Sequence, residues 1–291
     1  MKSERFFDQI LEMIERGNAD QAMMLLTGKL YNAVEDSESW PQTRAELRQH
    51  TLYNVLLEDP LTGRSARRPR GYPGDAALID IIYDKASPDP MTRRGREVFN
   101  VSVAFQACEG VRQRRAYAET LVTTAWAEGK RILVLACGHF REGDVLIGKD
   151  ITNITLVDQD EESLAVIRRN HGDGADLQAA NVVRYLRAAV ARGDQFDLIY
   201  TLGLTDYLED RTMDLLHRLA KASLAPNGVF LLANFLPGHL SVGWMDAVMD
   251  WQLIYRDEAE LTAFADAIGL AARTWRDETD SIAFCEMTAP G

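Results

Sequence analysis

Arg131-Ile-Leu-Val-Leu-Ala-Cys-Gly-His-Phe-Arg-Glu142, followed twenty residues after Gly138 by Leu156-Val-Asp158, decides the fold of this chain. The first stretch reads as an apolar strand, buried on both faces, that stops in a glycine turn. The second is another buried strand, tipped by a carboxylate. In doubly wound α/β folds a glycine lets backbone approach a ligand at the first turn. The acid ending the second strand can then accept from both hydroxyls of a ribose. The spacing predicts an adenosine-bearing cofactor.

Downstream of Gly129 short apolar runs alternate with amphipathic segments. Strands are expected at residues 131–136, 153–157, 196–202 and 228–235, with a short one near Leu177. A closing pair at 271–275 and 281–287, joined by Arg276-Asp-Glu-Thr-Asp280, suits an antiparallel edge hairpin. Such alternation implies a mostly parallel sheet covered on both faces.

Upstream the pattern is helical. Phe6, Phe7, Ile10, Leu11 and Ile14 share a face, and Ala22, Leu25, Leu26, Leu30 and Val34 continue the period. Pro41 opens a further helix. Residues 59–74, with Asp-Pro, Thr-Gly and Arg-Pro-Arg-Gly-Tyr-Pro-Gly, read as loop. A helix follows over 75–83, Ser87-Pro-Asp-Pro90 breaks it, and one long helix is expected over 92–127. Two domains are expected: a helical N-terminal cap and lid, 1–127, and a cofactor-binding domain, 128–291.

The chain has 291 residues, 46% hydrophobic and 26% charged, with a formal charge of −12. That charge argues against nucleic acid and anionic membranes as partners. The local cluster Arg64, Arg67, Arg68 and Arg70 reads as a solvated loop face. Cys108, Cys137 and Cys285 form no CxxC pair, and the five histidines have no metal-ligand spacing, so no metal site is expected. Unpaired cysteines, with no signal-peptide core or membrane-length apolar run, point to the cytoplasm. The amphipathic N-terminal helices can pack on the core or on a second copy as a homodimer.

Three cofactors compete for the turn. A P-loop needs lysine where Asp144 stands. A dinucleotide site needs GxGxxG, whereas Cys137-Gly-His-Phe-Arg-Glu-Gly143 supplies one glycine of that set and puts Glu142 near a pyrophosphate. S-adenosylmethionine carries no phosphate. Its ammonium suits a nearby carboxylate such as Glu142, and Gly138 permits close approach. Asp158 would take the ribose hydroxyls, with Gln159 at the same edge, or Asp158 would cap the helix starting at Glu161. Asn181 and Val182 would meet the adenine, unless Asn181 is only a cap. Ala136 and Thr201, ending the first and fourth strands, complete the candidate cofactor set.

In order and spacing, residues 130–235 resemble the class I S-adenosylmethionine-dependent methyltransferases. A narrower likeness rests on Arg70-Gly-Tyr-Pro-Gly-Asp75, Ala136-Cys-Gly-His-Phe-Arg-Glu142, Gly203-Leu-Thr-Asp-Tyr-Leu208, Asn234-Phe235 and Asp250-Trp-Gln-Leu-Ile-Tyr-Arg256. Over residues 68–285 these phrases resemble a bacterial branch described as extracellular-factor, or 3-hydroxypalmitate methyl ester, biosynthesis proteins. They are also similar to azetidine-2-carboxylate synthases. His139 stands where that branch usually has proline. The resemblance implies an α/β, doubly wound, Rossmann-like methyltransferase sheet with an antiparallel C-terminal edge and a helical cap.

It also implies one of two chemistries. In methyl transfer, a carboxylate or another small-molecule nucleophile attacks the sulfonium methyl in line. In cyclisation, the amine of S-adenosylmethionine attacks its own γ-carbon and expels methylthioadenosine. A third reading is a non-catalytic cofactor-binding protein. The stretch 70–75 is the expected lid: Tyr72 would lie against the sulfonium, and Asp75 would hold the ammonium, act as a base or cap the next helix. Tyr207 also faces the sulfonium in this reading, and Asp206 is the alternative acid. Tyr255 and Arg256 would meet substrate, the arginine clamping a carboxylate or pairing with Glu258 or Glu260. Met245, Val248, Met249 and Trp251 are expected on one amphipathic helix.

Overall fold

A computed structural model describes residues 2–172 and 174–290. It divides into two compact units, Met1–Arg112 with Gly238–Gln252, and Gln113–Pro237 with Leu253–Gly291. The boundary expected near residue 128 thus falls at 112, inside a helix, and the helical unit takes an excursion from the C-terminal half.

The helical unit comprises α1 (Lys2–Glu15), α2 (Ala19–Val34), α3 (Trp40–Gln49), α4 (Thr51–Leu56), α5 (Pro60–Arg67), α6 (Ala76–Asp84), α7 (Arg93–Ser102) and the start of α8 (Gln106–Ala127). Phe7, Ile10 and Ile14 of α1 are buried, as are Ala22, Met23, Leu26 and Leu30 of α2. Leu25, expected on that face, lies half exposed beside the exposed Met24. Residues 59–67 are not loop. Asp59 caps α5, accepting from the Leu61 N–H at 2.8 Å, and Pro60 occupies its first turn. Gly63 is there for close packing: a Cβ would stand 2.4 Å from the Leu57 carbonyl oxygen.

The long helix expected over 92–127 is broken after Ser102. Arg112 Nη1 donates to the freed carbonyl of Val103, and the Cys108 thiol to that of Ser102, so the break leaves these acceptors satisfied. The excursion carries α12 (Val242–Ala247), which ends before Val248, Met249 and Trp251, although all three are buried. Gly243 presses on the backbone of Leu30, where a Cβ would sit 2.5 Å from the carbonyl carbon. Asp246 accepts from Trp40 Nε1 at 2.5 Å and Arg44 Nη1 at 2.8 Å. These bonds tie residues 238–252 to α3.

The second unit is built on a seven-stranded sheet in the order β3-β2-β1-β4-β5-β7-β6. Its strands are β1 (Ile132–Leu135), β2 (Ile154–Asp158), β3 (Asp176–Ala179), β4 (Phe196–Thr201), β5 (Leu224–Phe235), β6 (Ala271–Arg276) and β7 (Ile282–Thr288). The first five are parallel, and β7 runs antiparallel between β5 and β6. The sheet is therefore doubly wound, mostly parallel and antiparallel at its C-terminal edge, as expected. β5 starts earlier than the sequence suggested. Leu224 already pairs with Phe196, and the run then bulges at Asn227, whose φ is +60°, before regular pairing resumes at Val229. The chain reverses between β6 and β7 through Asp277, whose carboxylate accepts from the Ser281 and Ile282 N–H groups.

The connecting helices are α9 (Glu161–His171), α10 (Val182–Arg192), α11 (Asp210–Ala222) and α13 (Glu258–Ala267). The core contains Leu133, Leu135, Val157, Leu186, Ile199, Leu216, Phe230, Leu232 and Cys285. Among the described residues no helix is long and apolar enough to cross a membrane.

Candidate active site

Strand order reverses about β1, with β2 on one side and β4 on the other. Two loops diverge there, at the carboxyl ends of the strands, and leave the crevice in which open α/β sheets bind ligands. Ala136, Gly138, Glu142, Asp158, Gln159, Asn181, Val182, Thr201 and Tyr207 all follow or end β1–β4. The structure brings these expected residues to one end of the sheet.

The turn after β1 is tightly wound. Ala136, Gly138 and Phe140 all have positive φ, at 53°, 53° and 50°. For the alanine and phenylalanine this conformation costs about 1–2 kcal/mol each, so something must hold it. The Cys137 N–H donates to the Val157 carbonyl at 3.1 Å. Asp158 Oδ2 accepts from the Gly138 N–H at 2.8 Å, and Oδ1 accepts from the Asp160 N–H at 2.9 Å. The acid at the tip of β2 thus grips the glycine turn and keeps a further lone pair on each oxygen. It does not cap α9. Asp160 does that, accepting from the Glu162 N–H and the Ser163 hydroxyl.

Gly143, once a candidate phosphate glycine, admits the Phe140 ring; a Cβ would meet it at 2.1 Å. Asp144 is tied to Arg115 at 3.1 Å and Arg141 at 2.9 Å. Both P-loop landmarks therefore do structural work.

Glu142 lies in a short 3-10 helix, Arg141–Leu146, and is buried. It accepts from the Tyr200 hydroxyl at 2.9 Å. Burial raises its pKa, against the Tyr200 bond and the positive Arg114 and Arg115. Asp158 is likewise raised, first by burial. Both acids gain from donors or cations brought to them.

Asn181 caps α10, its Oδ1 accepting from the Arg184 N–H at 3.2 Å, and is itself exposed. Val182 is buried and Gln159 exposed. Thr201 is fully buried, and its Oγ1 has no hydrogen-bond partner among the described residues. Tyr207 sits in a second 3-10 turn, Thr205–Tyr207, with 36% of its surface exposed.

That turn is held from beneath. Asp206 is buried, accepts from the Phe235 N–H at 2.6 Å, and has its pKa pushed up to about 6 by burial. The buried Arg256 donates to the carbonyls of Thr205 and Leu208 and to Asp210 Oδ1. It pairs with neither Glu258, which Arg276 takes, nor Glu260, which closes the capping box of α13. A substrate clamp needs a guanidinium with free donors, and three bonds to the loop make Arg256 its brace instead. The motif containing Tyr255 is split, since Asp250–Gln252 belongs to the helical unit.

Tyr72 and Asp75 lie in the helical unit. Tyr72 is half-buried, after a Gly71 whose φ is +88°. Asp75 is 1% exposed and fully engaged: Arg64 donates to both oxygens at 2.8 Å, and Oδ1 caps α6 by accepting from the Leu78 N–H at 2.8 Å. The capping alternative is therefore realised. The arginine cluster is not simply solvated, because Arg68 also pairs with Asp250.

Sequence reasoning missed Arg114 and Tyr200. Arg114 is only 5% exposed, and its Nε has no hydrogen-bond partner among the described residues. The signal was present: Arg114 falls three residues after Val111 and four before Ala118, both buried on α8. A charge inside an apolar helical stripe needs an explanation.

No family model and no curated protein matches the chain. Similar solved structures exist. A possible exported protein from Bordetella parapertussis is 16% identical over 75% of this chain and 80% of that one, with a TM-score of 0.56. The N-methyltransferase NodS from Bradyrhizobium japonicum, in complex with S-adenosyl-L-homocysteine, is 14% identical over 62% and 88%, at 0.44. Magnesium protoporphyrin IX methyltransferase from Synechocystis, with bound S-adenosylhomocysteine, is 11% identical over 72% and 92%, at 0.48. At these identities the likeness is one of fold.

Proposed function

We propose that the protein is an S-adenosylmethionine-dependent methyltransferase acting on a small molecule, with a carboxylate or similar nucleophile as acceptor. One observation carries this reading. Two buried carboxylates, Glu142 and Asp158, flank a wound glycine turn at the point where strand order reverses. A pyrophosphate there would meet like charge, whereas ribose hydroxyls and an ammonium would supply the donors both acids lack.

The cofactor, when bound, supplies an electrophilic methyl group on a positively charged sulfur. Asp158 would hold the ribose through the lone pairs left beside Gly138 and Asp160, and Glu142 would face the ammonium. The Thr201 hydroxyl, without a partner among the described residues, ends β4 in the same crevice. The Thr205–Tyr207 turn, braced by Arg256 and Asp206, would keep the reactants in line and exclude water. A carboxylate acceptor has no proton to lose, so no base is required. The negative charge of the chain fits a small-molecule partner, and its three free buried cysteines fit a reducing cytoplasm.

Incubation with S-adenosylmethionine, with and without a panel of carboxylic acids, tests the reading by the nucleoside formed. S-adenosylhomocysteine appearing only with acceptor is expected. Methylthioadenosine formed without acceptor would replace methyl transfer by cyclisation. No binding at millimolar cofactor would sink both enzymatic readings. Asp158→Ala should weaken S-adenosylhomocysteine at least tenfold, because charge-assisted bonds to a buried diol contribute about 1.5–3 kcal/mol.

A further inference from the structure

Arg114 is a buried charge of this crevice to which the nucleoside reading gives no task. A guanidinium that is 95% removed from solvent ordinarily has an anion bonded to it. Here the nearby acids have committed hydrogen bonds elsewhere, Glu142 with Tyr200 and Asp206 with Phe235. Both still feel Arg114 through space. Its stem leaves α8, and its fork lies over Gly203, in the loop that follows β4. A Cβ on that glycine would sit 3.6 Å from Nη2 and 3.8 Å from Nη1. The absent side chain leaves the face of the fork uncovered toward that loop.

We propose that Arg114 is a carboxylate-binding residue of this site, forming with Glu142 a paired cradle of opposite charges. A planar fork matches the two oxygens of a carboxylate. Together the two residues complement an α-amino acid, with its ammonium toward Glu142 and its carboxylate on Arg114. Two sources present such a carboxylate: the amino-acid end of the nucleoside cofactor, and a carboxylic-acid acceptor. The assignment of the first source rests on the cofactor reading above; the second does not need an amino-acid end at all.

Calorimetric titration separates them. Wild type, Arg114→Met and Arg114→Lys are each titrated with S-adenosylhomocysteine and with 5′-methylthioadenosine, which has the same nucleoside and no amino-acid end. If the cofactor supplies the carboxylate, the methionine variant loses at least tenfold in S-adenosylhomocysteine affinity, the lysine variant less, and both keep wild-type affinity for methylthioadenosine. If the acceptor supplies it, S-adenosylhomocysteine is unaffected, and octanoate binding to the nucleoside-saturated protein falls at least tenfold in the methionine variant. Unchanged affinity for both S-adenosylhomocysteine and octanoate overturns the proposal. So does a parallel loss of the two nucleosides, which marks a structural role. Should the methionine variant fail to fold by circular dichroism, the lysine variant decides, since it keeps the charge and loses the fork. A wild type that binds neither nucleoside overturns the cofactor reading alone, and octanoate added to the free protein then still reads Arg114.

Discussion

Buried charge is held differently at Asp59 and Asp75 of the helical unit and at the carboxyl ends of the sheet's strands. In the helical unit Asp75 is buried with Arg64 on both oxygens and a backbone N–H besides. Asp59 is equally buried and accepts from Leu61, Thr62 and Ser102. In the sheet unit, at the carboxyl ends of β1, β2 and β4, Glu142 takes one hydroxyl, Thr201 Oγ1 takes nothing among the described residues, and Arg114 Nε is unpaired. Buried polar groups that lack partners cost stability. Asp59 and Asp75 are saturated and suited to stability, whereas Thr201 Oγ1 and Arg114 Nε are left open among the described residues at the ends of the strands, where a ligand can meet them.

Asp75 is where that contrast breaks most easily. Asp75→Ala removes a cap and strands Arg64, so denaturant unfolding should show a loss of ~3 kcal/mol, somewhat moderated because Arg64 is a quarter exposed. Asp75→Asn keeps the capping oxygen and should lose less. If Asp75→Ala is as stable as wild type yet no longer binds S-adenosylhomocysteine, the residue belongs to the ligand and the contrast fails.

Asp59 and Asp206 sharpen it through pH. Burial raises each pKa from 3.8 to about 6. Between those values the folded protein keeps a proton that the unfolded chain has released. Each group therefore lowers stability as pH rises from 3.8 to about 6, by up to ~3 kcal/mol, and its effect is constant above that range. Asp59→Asn and Asp206→Asn should each remove this decline, making the slope of unfolding free energy against pH more positive between 3.8 and about 6. Saturating S-adenosylhomocysteine should alter the slope attributable to Asp206 and leave that of Asp59 alone. Equal sensitivity of both to the nucleoside would erase the distinction between the units.

The sheet was more legible in the sequence than the helices, for a physical reason. A parallel strand is buried on both faces, so Ile132–Leu135 and Ile154–Asp158 read as continuous apolar runs, and glycine or acid marks their ends. In the helical unit, Asp59-Pro60 resembled loop chemistry, yet the same pair is a cap followed by a first-turn proline. The break after Ser102 carries no glycine or proline, because its carbonyls are satisfied by Arg112 and Cys108 from the next helix. Site residues set by backbone geometry, Gly138 and Asp158, could be read locally. Arg256 could not: its partners at Thr205, Leu208 and Asp210 are about fifty residues away, as the bonds themselves record. Arg114 was readable only as a charge in the wrong stripe of α8.

The smallest predicted effect lies at Asn181, where the two kinds of role meet in one side chain. Its Oδ1 is committed to the Arg184 N–H, as a cap at the start of α10. Asn181→Ala should therefore cost ~1 kcal/mol in stability. Asn181→Asp keeps a capping oxygen and places charge at a helix N-terminus, so it should be neutral or slightly stabilising. Any adenine contact would fall to the amide nitrogen, which the aspartate lacks. A drop of several-fold in methylthioadenosine affinity with unchanged stability would make Asn181 a ligand residue that also caps. Equal affinity in both proteins would leave it a cap alone, and adenine recognition would then fall to the backbone around Val182 and to apolar packing.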